Sequence, residues 1–246
     1  MPCYSAAVSP SGVYTAMKIS IIIPVYNEAG TVGAIIDKVR QLDLGRDLEK
    51  EIIVVNDGSS DHTRQALAPY ENVAGVRVHH SPVNLGKGSS VRIGFSFASG
   101  DLITIQDADL ELDPAEYKRL IVPILDGSAD VVYGSRFAGK GKQGKLSFWI
   151  ANKALATLTN TLYGASLTDI ETCYKVFRAD VIPRLKLKAA RFEIEPELTA
   201  QLLKGGFRIK ELPIGYAPRT HDEGKKINWK DGFGAVWMLV TQRLDK

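Results

Sequence analysis

The sequence predicts an α/β fold in which a mostly parallel central sheet is flanked by helices. Apolar runs rich in valine and isoleucine alternate along the chain with segments of helical periodicity. These runs lack the apolar–polar alternation of a strand with one solvent-exposed face, so we expect strands that are buried on both faces. Regular alternation of strand and helix is typical of a parallel, Rossmann-like sheet.

The first half of the chain contains five predicted strands, at residues 19–26, 51–57, 76–81, 101–107 and 130–136. The alternation weakens after about residue 140. There we expect, in order, a helix in "LSFWIANKALATLTNTLYG", a strand in "CYKVFR", a helix in "EPELTAQLLKGG" with Gly205 as its C-cap, a strand in "FRIKELPIGY" and an amphipathic helix from Trp229 to Leu244. We interpret this half as an elaboration of the sheet, not as a separate domain.

Composition and charge exclude several classes of protein. Of the 246 residues, 45% are hydrophobic and 24% are charged, which are ordinary values for a soluble globular protein. The net charge of +3 is weaker than the clustered basic excess of a nucleic-acid-binding protein. No stretch of the sequence reaches the roughly 18 apolar residues of a membrane span. Cys3 and Cys173 have neither metal-ligand spacing nor a disulfide framework, which favours a reducing, cytoplasmic compartment.

The N-terminal segment, residues 1–16, has neither the basic region nor the long apolar region of a signal peptide. It contains proline, serine and glycine and has no periodicity, so we expect a disordered extension. Met17 directly precedes the first predicted strand, and we expect it to be an alternative or the true start of the protein.

Polar residues follow three of the predicted strands. The first strand ends in "PVYNE", the second in "VNDGSSD" and the fourth in "QDADLE". Because the carboxyl ends of parallel strands meet at one edge of a sheet, we expect these residues to lie close together. Each of them is alternatively a helix cap or a turn residue, and for Asp61 in "SSDHT" that interpretation is as good as a functional one.

The pair Asp107 and Asp109 predicts a metal site. Residues i and i+2 of an extended segment point to the same side, where two carboxylates repel each other unless a cation lies between them. Hard oxygen ligands on a loop suit Mg²⁺ or Mn²⁺. Asp-x-Asp by itself is a weak motif, and "NLGKGSS" is a weak glycine-rich signal that is equally typical of a turn and a helix start. The combination with the two other polar strand ends is specific.

These motifs resemble those of the family-2 glycosyltransferases, which have the GT-A fold. Within that family the chain is similar to the polyprenyl-phosphate glycosyltransferases, the group of dolichol-phosphate mannose synthase. The resemblance covers about residues 18–231, and the segments that carry it are "IIIPVYNE", "IIVVNDGSSD", "NLGKGSSVRIGF", "DADLE", "VVYGSRF", "TDIETCYKVFR", "FEIEPELTAQLLK" and "ELPIGYAPRTHDEGKKINWKDG". It implies one domain at residues 17–246, with a nucleotide-sugar-binding half at 18–136 and an acceptor-side half at 137–246.

The resemblance also implies a role for each matching residue. The nucleotide sugar is expected to contact Pro24, Tyr26, Glu28, Asp57, Lys87, Asp107, Ala108, Arg219 and Lys226. A divalent cation is expected at Asp107, Asp109 and Glu111, where the polyprenyl-phosphate enzymes usually have glutamine at the third position. The acceptor phosphate is expected to contact Arg136 and Lys145. The residues expected to act in catalysis are Asp109, Arg136 and Asp169.

The acceptor decides whether a base is needed. A sugar hydroxyl must lose a proton, so a carboxylate should lie within hydrogen-bond reach of it. A lipid monophosphate, with a second pKa of about 6, is already largely anionic and needs only a cation to orient it. Asp169 is a candidate base and equally a residue that positions Arg136 or the acceptor, while Glu171 and Glu193 are weaker candidates.

Three functions follow from the resemblance and the residues. The first is metal-dependent, inverting transfer of a hexose from a GDP-mannose or UDP-glucose type of donor to a polyprenyl or dolichyl phosphate. The second keeps the donor and uses a glycan or small-molecule hydroxyl as the acceptor, with Asp169 as the base. The third is a catalytically silent nucleotide-sugar-binding module, which the intact Asp107–Asp109 pair disfavours. A lipid acceptor implies a peripheral position on the cytoplasmic face of a membrane, where Phe148 and Trp149 could contact the interface or belong to an ordinary core helix.

Overall fold

The computed structural model describes residues 17–45, 47–139, 146–218 and 229–245. The predicted N-terminal extension lies outside the described residues. In the described part of the chain, seven strands form one sheet in the order β3-β2-β1-β4-β6-β5-β7. The strands are β1 Met17–Val25, β2 Leu48–Asn56, β3 Val76–His80, β4 Leu102–Ile105, β5 Val131–Ser135, β6 Lys175–Arg178 and β7 Ile209–Pro213.

Eight α-helices flank the sheet within the same described ranges. They are α1 Val32–Gln41, α2 Thr63–Leu67, α3 Lys87–Phe97, α4 Tyr117–Leu120, α5 Val122–Leu125, α6 Leu146–Tyr163, α7 Ile194–Lys204 and α8 Trp229–Leu244. Short 3-10 turns lie at Ala68–Tyr70, Pro114–Glu116 and Ala179–Arg184. Gly205 is the C-cap of α7, as predicted.

The sheet is mostly parallel, as the sequence predicts. The pairs β1–β2, β1–β4, β2–β3 and β5–β7 are parallel, and β6 runs antiparallel to both of its neighbours, β4 and β5. All five strands predicted in the first half are present, and each ends one or two residues before its predicted end. The strands end earlier because the polar residues that follow them leave the hydrogen-bonded ladder.

Both faces of the sheet are buried, which explains the continuous apolar runs. Along β1, Ile21 and Ile23 pack into the hydrophobic cluster that includes α1, whereas Ile22 belongs to the cluster on the opposite face, against α3. Gly94 of α3 lets this helix approach closely, because a Cβ atom there would lie 2.3 Å from Ile22 Cγ2. Burying each isoleucine contributes roughly 1.5–3 kcal/mol to folding. The packing of helices on both faces of the sheet therefore holds the strand ends in fixed positions relative to one another.

The edge of the sheet at the amino ends of the strands has an ion cluster around Asp130. Asp130 Oδ1 accepts hydrogen bonds from Arg178 Nη1 and Arg208 Nη2, both at 2.9 Å, and its Oδ2 accepts one from the Arg208 backbone N–H at 2.9 Å. The hydrogen bond from the Arg208 side chain is the main reason why the pKa of Asp130 falls to about 2. The carboxylate therefore stabilises the fold above the ordinary aspartate pKa, and this stability is lost as the pH falls toward about 2.

We expect Asp130→Asn to flatten the acid limb of the stability profile. Urea unfolding measured between pH 7 and pH 2.5 should show wild-type stability falling more steeply below pH 4 than that of the variant, since asparagine cannot titrate. Equal slopes for the two proteins would show that Asp130 is not tied to the arginines in solution.

Candidate active site

The polar strand ends meet at one edge of the sheet, as the sequence predicts. In the parallel register, Val25 of β1 lies beside Asn56 of β2, and Ile22 of β1 lies beside Ile105 of β4. The segments that follow β1, β2, β4 and β5 therefore begin at the same edge. The strand β6 starts at this edge because it is antiparallel, and β7 ends there.

The loops that follow β1 and β2 are joined by hydrogen bonds. Asn27, with φ of 51°, donates its backbone N–H to Ser59 Oγ at 3.0 Å, and Glu28 donates its backbone N–H to Thr63 Oγ1 at 2.9 Å. Asp61 accepts a hydrogen bond from the backbone N–H of Thr63 at 3.0 Å. Asp61 thus orders the turn that leads into α2, whose N-cap is His62, and this agrees with the turn interpretation that the sequence left open.

Asp57 organises the glycine-rich segment that precedes α3. Its Oδ1 accepts the backbone N–H of Leu85 and its Oδ2 that of Gly86, both at 2.8 Å. Gly86 has φ of 93°, and a Cβ atom there would lie 2.3 Å from the Ala190 carbonyl oxygen, so no other residue fits easily. The helix α3 begins with the next residue, Lys87. This geometry makes "NLGKGSS" a turn and helix start that places Lys87 at the site edge.

Asp107 belongs to a partly buried network of alternating charges. Lys87 Nζ lies 2.8 Å from Asp107 Oδ1 and 3.2 Å from Glu195 Oε1, and Glu195 Oε2 pairs with Lys175 Nζ. Burial alone would lower the pKa of Lys87, but the carboxylates of Asp107 and Glu195 outweigh it and raise this pKa above its ordinary value. Burial would raise the pKa of Asp107, but Lys87, together with a hydrogen bond from the Cys173 thiol, lowers it. Asp107 is therefore a carboxylate.

Asp109 and Glu111 lie in a tight turn after β4. Glu111 donates its backbone N–H to Asp109 Oδ1 at 3.1 Å, and the intervening Leu110 has the unusual φ of 63°. The Glu111 carbonyl oxygen accepts the backbone N–H of Ala217 at 2.9 Å, and the Glu111 carboxylate accepts a hydrogen bond from the Tyr216 hydroxyl. Burial and this carboxylate raise the pKa of Tyr216. The turn is thus attached to the segment that follows β7.

Arg136 and Asp169 form a buried, bidentate ion pair. Arg136 Nε lies 2.7 Å from Asp169 Oδ2, and its Nη2 lies 2.8 Å from Asp169 Oδ1. The guanidinium carbon also lies within 5.3–5.5 Å of the ring centroids of Phe137, Phe148 and Tyr216. Asp169 accepts hydrogen bonds from Nε and Nη2, so three of the five guanidinium N–H groups, two on Nη1 and one on Nη2, lie outside this ion pair. This arrangement favours a positioning role for Asp169 over that of a base.

Glu171 is a carboxyl group with a raised pKa. Its Oε1 is buried and makes no hydrogen bond. Burial, reinforced by the Glu195 carboxylate, raises the pKa of Glu171 to about 7. Glu193, by contrast, is the residue before α7.

The structure brings most of the predicted site residues together. Pro24 lies in β1, and Tyr26 and Glu28 follow that strand at the site edge. The Ala108 side chain packs in the main hydrophobic cluster, so a contact with the donor would use its backbone. Lys145, Arg219 and Lys226 lie outside the described residues.

Four site residues were missed by sequence reasoning. They are Cys173, Lys175, Glu195 and Tyr216. Glu195 lies in "IEPELTA", where acidic residues interrupt a helix whose other residues are nearly all buried. A buried charge on a core helix requires a partner, and this was the signal that could have identified Glu195.

The donor set fits a divalent cation that shares its ligands with a diphosphate. Among the described residues, no group of three or more His, Cys, Asp or Glu side chains is arranged to hold a metal ion. Mg²⁺ commonly needs only one or two carboxylates when substrate phosphates supply other oxygens. Asp107 and Asp109, separated by one residue in the segment after β4, would provide two carboxylates.

The sequence of this chain is similar to those of several known proteins. A low-salt glycan biosynthesis hexosyltransferase, Agl6, of Haloferax volcanii is 30% identical over 230 residues, which are 92% of this chain and 54% of that protein. A dolichol-phosphate mannosyltransferase of Pyrococcus furiosus is 30% identical over 217 residues, which are 85% of this chain and 59% of that protein. The chain therefore spans between half and two thirds of the length of these relatives.

The fold is the GT-A fold, and solved structures share it. The glucosyl-3-phosphoglycerate synthase of Mycobacterium tuberculosis, in complex with Mn²⁺, UDP and phosphoglyceric acid, matches with a TM-score of 0.70 at 22% identity, over 92% of this chain and 78% of that chain. The family model described as glycosyl transferase family 2 matches residues 20–185, from β1 to the end of β6 and beyond. Since this match spans more than half of the chain and includes the polar ends of β1, β2, β4 and β5, the protein belongs to glycosyl transferase family 2.

Proposed function

We propose that the protein is a metal-dependent, inverting glycosyltransferase that moves a hexose from a nucleoside-diphosphate sugar to a polyprenyl or dolichyl phosphate. The donor is of the GDP-mannose or UDP-glucose type. Residues 17–246 act as one domain, with donor binding in residues 18–136 and acceptor binding in residues 137–246. The observation that carries the proposal is the buried Arg136–Asp169 pair at the site edge.

The pair supports a phosphate acceptor for a chemical reason. Both oxygens of Asp169 accept hydrogen bonds from Arg136, so this carboxylate is committed to orienting the guanidinium. The remaining donors of the guanidinium match the oxygens of a phosphate. An acceptor that is already anionic needs orientation and not proton removal. We therefore assign Arg136 to the acceptor phosphate and Asp169 to its positioning.

The donor half supports diphosphate chemistry. Asp107 and Asp109 would hold a Mg²⁺ or Mn²⁺ ion, which neutralises the charge that develops on the leaving diphosphate. Lys87, at the first turn of α3, adds a cation beside Asp107. Asp57 shapes the loop on which donor binding depends, and we assign Pro24, Tyr26 and Glu28 to the nucleoside. The relative named as a dolichol-phosphate mannosyltransferase supports the acceptor class.

A second candidate function is transfer to a hydroxyl acceptor. Glu171 favours it, because a carboxyl group with a pKa of about 7 and an unpartnered, buried oxygen is suited to act as a general base. The similarity to a glucosyl-3-phosphoglycerate synthase is compatible with this function. The pH dependence of kcat separates the phosphate-acceptor function from the hydroxyl-acceptor function. Base catalysis by Glu171 predicts that kcat rises through about pH 7 and that this rise is lost in Glu171→Gln.

The proposal is tested first by donor binding and then by transfer. Thermal-shift measurements with UDP- and GDP-sugars, with and without Mn²⁺, should show one donor that stabilises the protein more when Mn²⁺ is present. That donor is then offered with a polyprenyl phosphate or with a glycan alcohol. Transfer to the phosphate, with a flat pH profile, is expected. Binding of a donor without transfer or hydrolysis under any condition would indicate a silent binding module.

The exposed face of α8 supports attachment to a membrane surface. Phe233 and Trp237 are each 71% exposed, and they lie four residues apart on the side of α8 that is opposite to the buried Ala235 and Leu239. Arg243 adds an exposed basic residue to the end of this helix. Apolar and aromatic residues beside a cation suit an anionic lipid interface. No helix in the described part of the chain is long and apolar enough to cross a membrane.

We expect Trp237→Ser to weaken binding to phosphatidylglycerol vesicles by about tenfold, because it removes the largest exposed apolar side chain from this face. Vesicle co-sedimentation measures the change. Val83→Ser, which alters an exposed aliphatic residue outside α8, should leave vesicle binding unchanged. Equal losses in both variants, or none in Trp237→Ser, would rule out α8 as the lipid contact.

A further inference from the structure

The buried charge network beneath the Asp-x-Asp turn contains one carboxylate oxygen that lacks a hydrogen bond. Lys87 Nζ, 2.8 Å from Asp107 Oδ1, also lies 3.2 Å from Glu195 Oε1, yet Glu195 Oε1 accepts no hydrogen bond. The other oxygen of Glu195 is used, since Lys175 Nζ donates to it. The ammonium of Lys87 is therefore within ion-pair distance of two carboxylates but makes its short contact with only one of them.

Glu195 Oε1 has the Lys87 ion pair at 3.2 Å but not the hydrogen bond that a buried carboxylate oxygen usually makes. The Glu195 side chain is almost entirely buried, so water does not readily replace the missing donor. Glu195 also cannot turn away to another donor, because Lys175 holds its second oxygen, and Lys175 is fixed in turn by the backbone carbonyls of Ile170 and Thr172. The orphan oxygen is thus held in place, facing Lys87.

We propose that Glu195 is a positioning residue, and that it receives the Lys87 ammonium when a divalent cation takes the Asp107 carboxylate. The inference rests on the proposed metal-dependent function. Lys87 neutralises Asp107 before the cation arrives. When the cation binds, the ammonium and the cation repel each other, and the short shift of Lys87 toward Glu195 Oε1 completes a hydrogen bond that is missing beforehand.

This role explains why a lysine lies where a cation is expected. Without Lys87, Asp107 would be a partly buried carboxylate without its lysine countercharge in the absence of metal, which is unfavourable. Without Glu195, the displaced ammonium of Lys87 would remain close to the incoming cation with no second acceptor. Lys87 and Glu195 therefore stabilise the protein before the cation binds and lower the free-energy cost of cation binding.

Isothermal titration calorimetry with Mn²⁺ tests the proposal. It measures the affinity for the cation first without and then with UDP or GDP. We expect Lys87→Met to bind Mn²⁺ about tenfold more tightly without nucleotide, since a competing positive charge has been removed. Glu195→Gln should bind Mn²⁺ about tenfold more weakly, and Glu195→Asp should restore most of the affinity. In the Lys87→Met background, Glu195→Gln should change the affinity by less than about threefold, because Glu195 acts through Lys87.

Asp130→Asn is the matched control for these variants. Asp130 also bridges two cations, Arg178 and Arg208, but at the opposite edge of the sheet. This variant should lower stability and leave the Mn²⁺ affinity unchanged. The proposal would be overturned if Glu195→Gln weakened Mn²⁺ binding equally in the wild-type and Lys87→Met proteins. Glu195 would then affect the cation without acting through Lys87.

A measurement on the wild-type protein does not depend on the folding of any variant. Mg²⁺ is titrated into protein carrying ¹⁵N-labelled lysine, and the side-chain ammonium resonance of Lys87 is followed. The proposal expects this resonance to shift with the same midpoint as Mg²⁺ binding. Saturable Mg²⁺ binding with an unchanged Lys87 resonance overturns this inference alone, whereas the absence of any Mg²⁺ or Mn²⁺ binding, with or without nucleotide, overturns the metal-dependent function as well.

Discussion

Replacing Asp109 with asparagine should lower kcat for hexose transfer by about 10³-fold while leaving the fold intact. The carboxylate lies in the turn after β4, and its replacement removes one of two charged oxygen ligands from the proposed cation site. Charge on the leaving diphosphate would then develop with weaker stabilisation, and losses of roughly 10²–10³ follow from removing one such group. Steady-state kinetics with a saturating donor measure the change.

Asp113→Asn is the matched control, because it changes a second aspartate of the same acidic stretch. Asp113 accepts the backbone N–H of Ala115 at 3.0 Å and precedes Pro114, as expected of a helix cap. Asparagine caps a helix about as well as aspartate, so activity and stability should stay near wild type. An Asp109→Asn variant that retains wild-type kcat at saturating donor and Mn²⁺ would contradict the assignment of Asp109 to the cation.

Replacing Asp169 with asparagine should destabilise the protein by about 3 kcal/mol, with a fall in Tm of about 6–12 °C. Asp169 is fully buried, and its loss as an anion leaves the Arg136 guanidinium buried without a countercharge. Unfolding in urea, monitored by circular dichroism, measures this change. A loss of transfer activity in this variant therefore reports on the position of Arg136 as well as on any proton transfer.

Two further variants separate these effects. Asp180 forms a similar bidentate pair with Arg178, but on the exposed surface, so Asp180→Asn should cost less than about 1 kcal/mol. The double variant Arg136→Met/Asp169→Asn should be more stable than Asp169→Asn alone, because no unpaired buried charge remains. Wild-type stability of Asp169→Asn combined with loss of transfer would instead identify Asp169 as a base.

Much of the fold follows from local patterns in the sequence. Five strands and the helices α7 and α8 have the expected positions, because continuous apolar runs and capping residues report directly on burial and chain termination. The antiparallel direction of β6 and its place between β4 and β5 could not be predicted from "CYKVFR". Strand order depends on which apolar faces fit together, and residues distant in sequence decide this.

The same division holds for the site. Residues that follow a strand, such as Asp57, Asp107 and Arg136, were identified because the ends of parallel strands converge in a way that sequence order reveals. Tyr216 and Glu195 were missed, since each reaches the site from an element whose own pattern contains no motif. Their partners, Glu111 and Lys87, lie about a hundred residues away in the chain.

The sequence by itself predicted the chemistry that we propose for this protein: two carboxylates for a cation, cationic groups for phosphates, and a sheet edge at which these groups meet. Only the tertiary structure decided how those groups are paired. Asp169 orients Arg136 because both are buried together, and Lys87 lies between Asp107 and Glu195 because α3 and α7 bring them within reach. The physical reason is that the charged residues themselves are visible in the local sequence. The partner that a buried charge requires lies on a distant element, which only the tertiary packing brings beside it.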